Sequence, residues 1–189
     1  AGLWAITPDA LNGLVSDLPQ LAAGAVPESR TNDDLATPTE TPYSMDGPVA
    51  IVPVKGGMSK NGLSFLGFQL LASMREIGAA IRQAAADPAV RAIMLDVESP
   101  GGTVDGTEEL AAAVVAAGQS KPLYTYADGL MGSAAYWIAC SAREIAAPAT
   151  AQVGSVGVLL MHREVSRALD NAGVKVNIIT AGRYKAAVR

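Results

Sequence analysis

Among its 189 residues this sequence has one cysteine and one histidine. A lone Cys140 excludes an intrachain disulfide framework, and the apolar stretch around it reads as a buried thiol, which fits a reducing compartment. As a nucleophile Cys140 would need His162 for a partner, and buried cysteines are mostly inert. Aromatic residues make up 5% of the chain while half of it is hydrophobic, so the core has to be built from aliphatic side chains and close backbone packing. No apolar run reaches the roughly 18 residues of a membrane-spanning helix. The opening Ala1 to Ile6 lacks the basic stretch and long apolar run of a signal peptide. A soluble chain with no membrane partner is therefore expected. Basic residues number 14 against 18 acidic ones, a formal charge of −4. Without a basic run there is no electrostatic footprint for nucleic acid. Asp96 and Glu98 stand near each other, but no cluster with metal-ligand spacing accompanies them, so neither metal nor cofactor is expected.

What is present falls into two parts. Residues 1–48 read as an N-terminal arm and linker. Thr7-Pro8-Asp9 is a plausible helix start, with Thr7 as N-cap and Pro8 in the first turn, and residues 3–23 are weakly helical. From Val26 to Pro48 the composition turns to Pro, Thr, Ser, Asp and Glu, which is linker chemistry. A compact domain is expected from Val49 to Arg189. It stops inside a segment that reads as structured, as a truncated or processed chain would.

Within 49–189, strand and helix signals alternate. Strands are expected at 49–54, 91–97 and 121–127, with short ones at Ile145, 153–158 and 176–180. Leu70, Met74, Ile77 and Ile81 mark one face of a helix ending near Asp87-Pro88. Further helices are expected at 104–117, 133–142 and 163–172. Near-continuous apolar strands alternating with helices imply an α/β domain with a buried sheet.

Three stretches at strand ends can carry chemistry. Ser99-Pro100-Gly101-Gly102 lies between a strand and a helix, where glycines allow a sharp turn and leave N–H groups open to an anion. That could build an oxyanion site or be a plain tight turn. Asp128-Gly129-Leu130-Met131-Gly132-Ser133 follows the next strand, and Ser133 opens a helix. It reads either as a nucleophile at a sharp corner or as the N-cap of that helix. In Gly182-Arg183-Tyr184-Lys185-Ala186-Ala187 a lysine sits among apolar neighbours. Desolvation there would lower its pKa and fit it for a base, although most lysines are solvated surface groups.

Together these stretches resemble one family. Ser-Pro-Gly-Gly, then Asp-Gly-x-x-x-Ser-Ala-Ala-Tyr-Trp, then Gly154-Ser155-Val156-Gly157-Val158, then Gly-x-Tyr-Lys-Ala is similar to the ordered pattern of the signal-peptide-peptidase-A (S49) serine peptidases. The likeness runs from Val49 to Arg189. The opening Leu3-Trp4-Ala5-Ile6-Thr7-Pro8-Asp9-Ala10-Leu11 resembles the start of the phage members that mature capsids.

The resemblance implies a Clp-protease/crotonase-like spiral of ββα units, usually a homo-oligomer. It also implies a Ser–Lys dyad, in which Ser133 is the nucleophile, Lys185 the general base and Ser155 the hydroxyl that orients the lysine. Gly101 or Gly102 and Ala134 would supply the oxyanion-hole N–H groups, and Leu130 and Met131 would line a pocket for substrate side chains. The expected substrates are scaffold and capsid proteins, cleaved without ATP in the phage procapsid or host cytoplasm. Four rival readings stay open at this point. They are a Clp-like use of His162 as the base, a bacterial signal-peptide-degrading enzyme, a catalytically silent assembly module, and a crotonase-type acyl-CoA enzyme. Tyr136 and Trp137 are expected to pack the Ser133 helix into the core.

Overall fold

The computed structural model describes residues 3–6, 42–65, 68–161 and 165–175. It separates into two compact units, Gly2–Leu160 and a C-terminal one over Met161–Arg189. In the second unit the described helix is Ser166–Asn171.

The larger unit contains two sheets. The first runs in the order β10 (Ile145–Ala146), β9 (Leu123–Gly132), β7 (Ala92–Ser99), β3 (Val49–Lys55) and β2 (Ser44–Asp46), and β11 (Gln152–Gly154) also pairs with β9. Its three long strands are parallel, with Ile51 opposite Met94 and Leu95 opposite Thr125. The second sheet runs β12 (Leu159–Leu160), β1 (Leu3–Ile6), β8 (Gly101–Thr103), β4 (Met58–Ser59), β6 (Phe68–Ser73) and β5 (Leu63–Phe65). Helices α1 (Met74–Ala86), α2 (Thr107–Ser120) and α3 (Ala134–Ala139) follow β6, β8 and β9. The chain thus lays a long strand in the first sheet, a short one in the second, then a helix, and starts again. This is an α/β architecture built from ββα units.

Alternation along the long strands decides which face is buried. Ala50, Val52 and Val54, then Ile93, Leu95 and Val97, then Leu123 and Ala127 all point one way and are almost wholly buried. Helices α1 and α2 cover that face with Ile77, Ile81, Leu110 and Val114. Each such side chain contributes about 1.5–3 kcal/mol relative to exposure. The intervening residues Ile51, Met94 and Tyr124 are only half-buried, so the apolar composition of the strands overstated burial of the second face.

Helix α1 starts later than its apolar spacing suggested, because Leu70 and Leu71 belong to strand β6. The Ser73 hydroxyl accepts from the Glu76 N–H at 3.3 Å. That is half of a Ser-x-x-Glu capping box, which satisfies one of the free N–H groups of the first turn. At the other end Lys121 donates its ammonium to the carbonyls of Ala84, at 3.0 Å, and Asp87, countering the negative end of the helix. The linker composition also ends earlier than Pro48. Ser44–Asp46 forms β2 against β3, and Tyr43 is buried, donating its hydroxyl to Asp87 at 2.8 Å. Residues 3–6, expected as the edge of a weak helix, are a strand paired to β8 and β12. The expected helix start at Thr7-Pro8 and the expected strand at 176–180 lie outside the described residues.

Candidate active site

Strand β9 does not end at Ala127. After an irregularity in its pairing with β7, it resumes with Met131 opposite Ser99 and runs to Gly132. The next residue, Ser133, turns the chain into α3 with φ 53° and ψ −114°. A serine in that region is strained by about 1–3 kcal/mol, a cost that persists only where the surroundings over-determine it. Two observations show what fixes it. The Ser133 N–H donates to the Gly154 carbonyl at 2.7 Å, and Ala134 and Ala135, which follow it, are essentially fully buried. The hydroxyl makes no capping bond to α3. Its contact is a long donation of 3.4 Å to the Gly157 carbonyl, too long to be a strong bond. Ser133 therefore stands at the N-cap position, its carbonyl accepting from the Trp137 N–H at 2.9 Å, without capping the helix through its side chain. It is a corner serine, 7% exposed, whose oxygen is left nearly uncommitted.

Ser155 is placed beside it by sheet register. Strands β9 and β11 are parallel, with Leu130 opposite Gln152, Met131 opposite Val153 and Gly132 opposite Gly154. Both strands then end in a serine of positive φ, 53° at Ser133 and 57° at Ser155, the non-glycine residues with that geometry among those described. Neighbouring strands lie about 4.8 Å apart, so the register brings together two serines that stand 22 positions apart in sequence.

The Ser-Pro-Gly-Gly stretch adjoins the same helix, since α3 packs against β8. Ser99 is wholly buried; its hydroxyl donates to the Gly56 carbonyl at 2.7 Å and accepts from the Gly101 N–H at 3.2 Å. Gly101 has φ 107°, open to glycine and costly for other residues. Gly102 is needed for a different reason, because a Cβ there would lie 2.1 Å from the Met58 carbonyl oxygen. Of the two residues expected to face substrate, Leu130 keeps some exposed surface, whereas Met131 is 0% exposed within the hydrophobic core. Met131 is a packing residue, turned inward by the alternation of β9. Lys185 and His162 lie outside the described residues.

Other expectations about α3 need correcting. In this helix of six residues, Ala134, Ala135, Ile138 and Ala139 face the core. That leaves Trp137 on the opposite side, 46% exposed, with Tyr136 alone packed against the core. Cys140, expected to be buried, is exposed. It lies one turn beyond Tyr136, whose phenol is pushed above its ordinary value by hydrogen bonding with the thiol. Near the same strand ends, Lys55 contacts Asp96 at 2.9 Å and Asp128 at 3.1 Å. Burial acts to lower the Lys55 pKa, but the hydrogen bonds to Asp96 and Asp128 outweigh it and raise the pKa. Lys55 therefore stays protonated and is unsuited to serve as a base. Among the described residues no group of three or more His, Cys, Asp or Glu is placed to hold a metal, and no helix is long and apolar enough to cross a membrane.

Residues 116–189, which include Ser133, Ser155 and Lys185, match the family model of peptidase family S49. Over those residues the chain is similar to this family. Among curated relatives, the chain is 30% identical over 143 residues to capsid assembly protease C of Escherichia phage lambda, covering 76% of this chain and 33% of that protein. It is 32% identical over 138 residues to protease 4 of Salmonella typhi, covering 71% of this chain and 21% of that one. The chain thus spans a third or less of the length of these relatives. Among solved structures, a member of the enoyl-CoA hydratase/isomerase family aligns with TM-score 0.45 and 20% identity, over 56% of this chain and 45% of the other. A membrane-bound stomatin-specific protease in complex with a substrate peptide aligns with TM-score 0.41 and 17% identity, over 57% and 44%.

The sequence offered no local sign of two of these placements. The Gly154 carbonyl that holds Ser133, and the strand Leu3–Ile6 that flanks Gly101 and Gly102, depend on long-range register.

Proposed function

We propose that this chain is an S49 serine endopeptidase with Ser133 as nucleophile and Lys185 as general base, acting on the scaffold and head proteins of a phage capsid. The observation that carries the reading is the strained, uncapped Ser133 with Ser155 in register beside it. In the proposed reaction the neutral Lys185 amine takes the Ser133 proton as the oxygen attacks the scissile carbonyl. The resulting ammonium returns that proton to the departing amine. Water then attacks the acyl-enzyme, with the lysine again as base, and releases the acid product and the free serine. Ser155 orients the lysine. Because the Ser133 N–H is committed to Gly154 and the Gly101 N–H to Ser99, Ala134 is the favoured oxyanion donor on the helix side. Its counterpart comes from the Gly101–Gly102 strand. Leu130 contributes the apolar contact to the substrate. No cofactor enters the scheme. The working form is a homo-oligomer located in the procapsid or the host cytoplasm.

The similarity to a capsid assembly protease favours capsid substrates over signal peptides. The intact Ser133, Ser155 and Lys185 favour an active enzyme over a silent module. Cleavage of casein and of scaffold peptides by the wild type, Ser133→Ala, Lys185→Ala and His162→Ala tests the assignment. Loss of at least a hundredfold in the first two variants alone is expected. Survival of Lys185→Ala with loss in His162→Ala would move the base to the histidine. The pH profile separates the same two cases. A lysine base gains activity well into the alkaline range, whereas a histidine base levels off above about pH 7.

A further inference from the structure

Strand β1 (Leu3–Ile6) lies inside the second sheet, antiparallel to a strand on either side. Ile6, Ala5 and Trp4 stand opposite Gly101, Gly102 and Thr103 of β8, while Trp4 and Leu3 stand opposite Leu159 and Leu160 of β12. Without β1, β8 and β12 would bound a slot about 10 Å across, two strand spacings. A slot of that width takes one extended chain.

Ser133 is tied to both walls of the slot. Its helix, α3, packs against β8, and its hydroxyl lies 3.4 Å from the carbonyl of Gly157, two residues before β12. In the proposed reaction β8 offers a backbone N–H to the substrate carbonyl, yet both edges of β8 are already paired. On one edge β4 is locked in place between β8 and β6, with Met58 0% exposed. The other edge is covered by β1, whose ladders are short, three opposed pairs with β8 and two with β12. Ser44, which opens β2, comes 38 positions after Ile6, so β1 can leave without dragging the first sheet apart. Of the two neighbours of β8, β1 is the one that can yield.

We infer that Leu3–Ile6 is an internal competitor of the substrate, held in the slot between β8 and β12 until an extended apolar peptide takes its place beside Ser133. The segment reads Leu-Trp-Ala-Ile, apolar throughout, which sets the class of peptide the slot accepts. The effect on cleavage rests on the peptidase reading, whereas occupancy of the slot does not. When β1 fills the slot in most molecules, apparent substrate affinity falls by the fraction that is open. Freeing β1 therefore lowers KM at constant kcat, and fixing it stops cleavage.

The test fixes and frees β1 in the full chain. A disulfide formed in the Leu3→Cys/Leu160→Cys variant fixes it, since opposed residues of antiparallel strands have Cα atoms about 4.5–5.5 Å apart, within disulfide reach. Cys140→Ser removes the competing thiol. Ala5→Pro frees β1, because a strand paired on both sides cannot hold proline. Oxidation of the double-cysteine chain is expected to cut casein cleavage at least tenfold, with recovery on reduction. Ala5→Pro is expected to lower KM severalfold at unchanged kcat, a gain that a merely structural strand would not give. Binding is read separately by fluorescence anisotropy in a Ser133→Ala background, with a labelled Ala-Gly-Leu-Trp-Ala-Ile-Thr peptide. It should bind the Ala5→Pro chain at least fivefold more tightly than the parent, and the oxidised chain not measurably. The inference is overturned if the oxidised chain, free of titratable thiol, cleaves casein as fast as the reduced one or binds the peptide as well. It is also overturned if a folded Ala5→Pro chain cleaves more slowly than the parent. Should no form cleave casein, the peptidase reading falls and the peptide-binding comparison alone decides the inference.

Discussion

Replacing Gly102 by Ala adds one methyl group at the point where β8 pairs with β4, opposite Met58. The added Cβ would lie 2.1 Å from the Met58 carbonyl oxygen, 2.7 Å from its carbon and 2.9 Å from its Cα. All three are backbone atoms, so no side chain can swing aside, and the two strands must separate by about 1 Å. Overpacking costs about 1–3 kcal/mol where side chains can adjust, so about 3 kcal/mol or more is expected here. For a chain of this size each kcal/mol moves the melting temperature by about 2–4 °C, which predicts a fall of about 6–12 °C. Gly118→Ala is the matched control, because the exposed Gly118 in α2 has nothing within 4 Å of an added Cβ. Better helix propensity should stabilise that variant by about 0.5–1 kcal/mol. Thermal unfolding followed by circular dichroism reads both. An unchanged melting temperature for Gly102→Ala would refute the close approach of β4 to β8, and with it the placement of Gly101 and Gly102 beside α3.

Other perturbations follow from the same structure. Ser133→Gly relieves the positive-φ strain, so it should raise stability by about 1–2 kcal/mol while abolishing cleavage; a destabilised variant in thermal melts would contradict the strained corner. The Thr125 hydroxyl is buried with no hydrogen-bond partner among the described residues. Thr125→Val should therefore gain about 1 kcal/mol in chemical denaturation, and a loss would point to a hidden partner. Removing the ammonium that caps α1, as Lys121→Met, should cost about 1–2 kcal/mol, read by urea unfolding. The Asp87 carboxyl is held below its ordinary 3.8 by the Ala89 N–H and then by the Tyr43 hydroxyl. Since the folded value is the depressed one, the stabilisation is fully present above about pH 4 and is lost as pH falls through that folded value. Melting temperatures of wild type and Asp87→Asn should therefore differ at pH 6 and converge toward pH 3.

Much of the fold could be read from local pattern. Val49–Lys55 and Ala92–Ser99 are short apolar runs in β-branched and aliphatic residues, and both are strands. The helix face of Ile77 and Ile81 was legible from its period. Its start was not, because Leu70 extended the spacing into β6, although Ser73 and Glu76 signal a capping box in the sequence itself. Asp128-Gly129 imitates a turn, but the chain absorbs it as an irregularity inside β9. Trp137 and Cys140 were misplaced because composition implies burial while helix phase turns them outward. The positions of Ser133 and Gly101 could be picked out as chemistry-bearing. The pairing of Gly132 with Gly154 could not, because register between strands leaves no trace in spacing along the chain.

Strand β1 carries a consequence for how the chain is made. Leu3 pairs with Leu160, and Ala5 and Ile6 with Gly102 and Gly101. At about 5–20 residues per second, the first of these residues waits roughly 8–30 s for its distant partner to be synthesised. Until then β1 has an open edge where Leu159–Leu160 belong, and that edge is free to pair elsewhere. Synthesis rate, rather than any local preference of Leu3–Ile6, sets when that sheet can close, so slowing or pausing translation prolongs the aggregation-prone interval in the life of this chain.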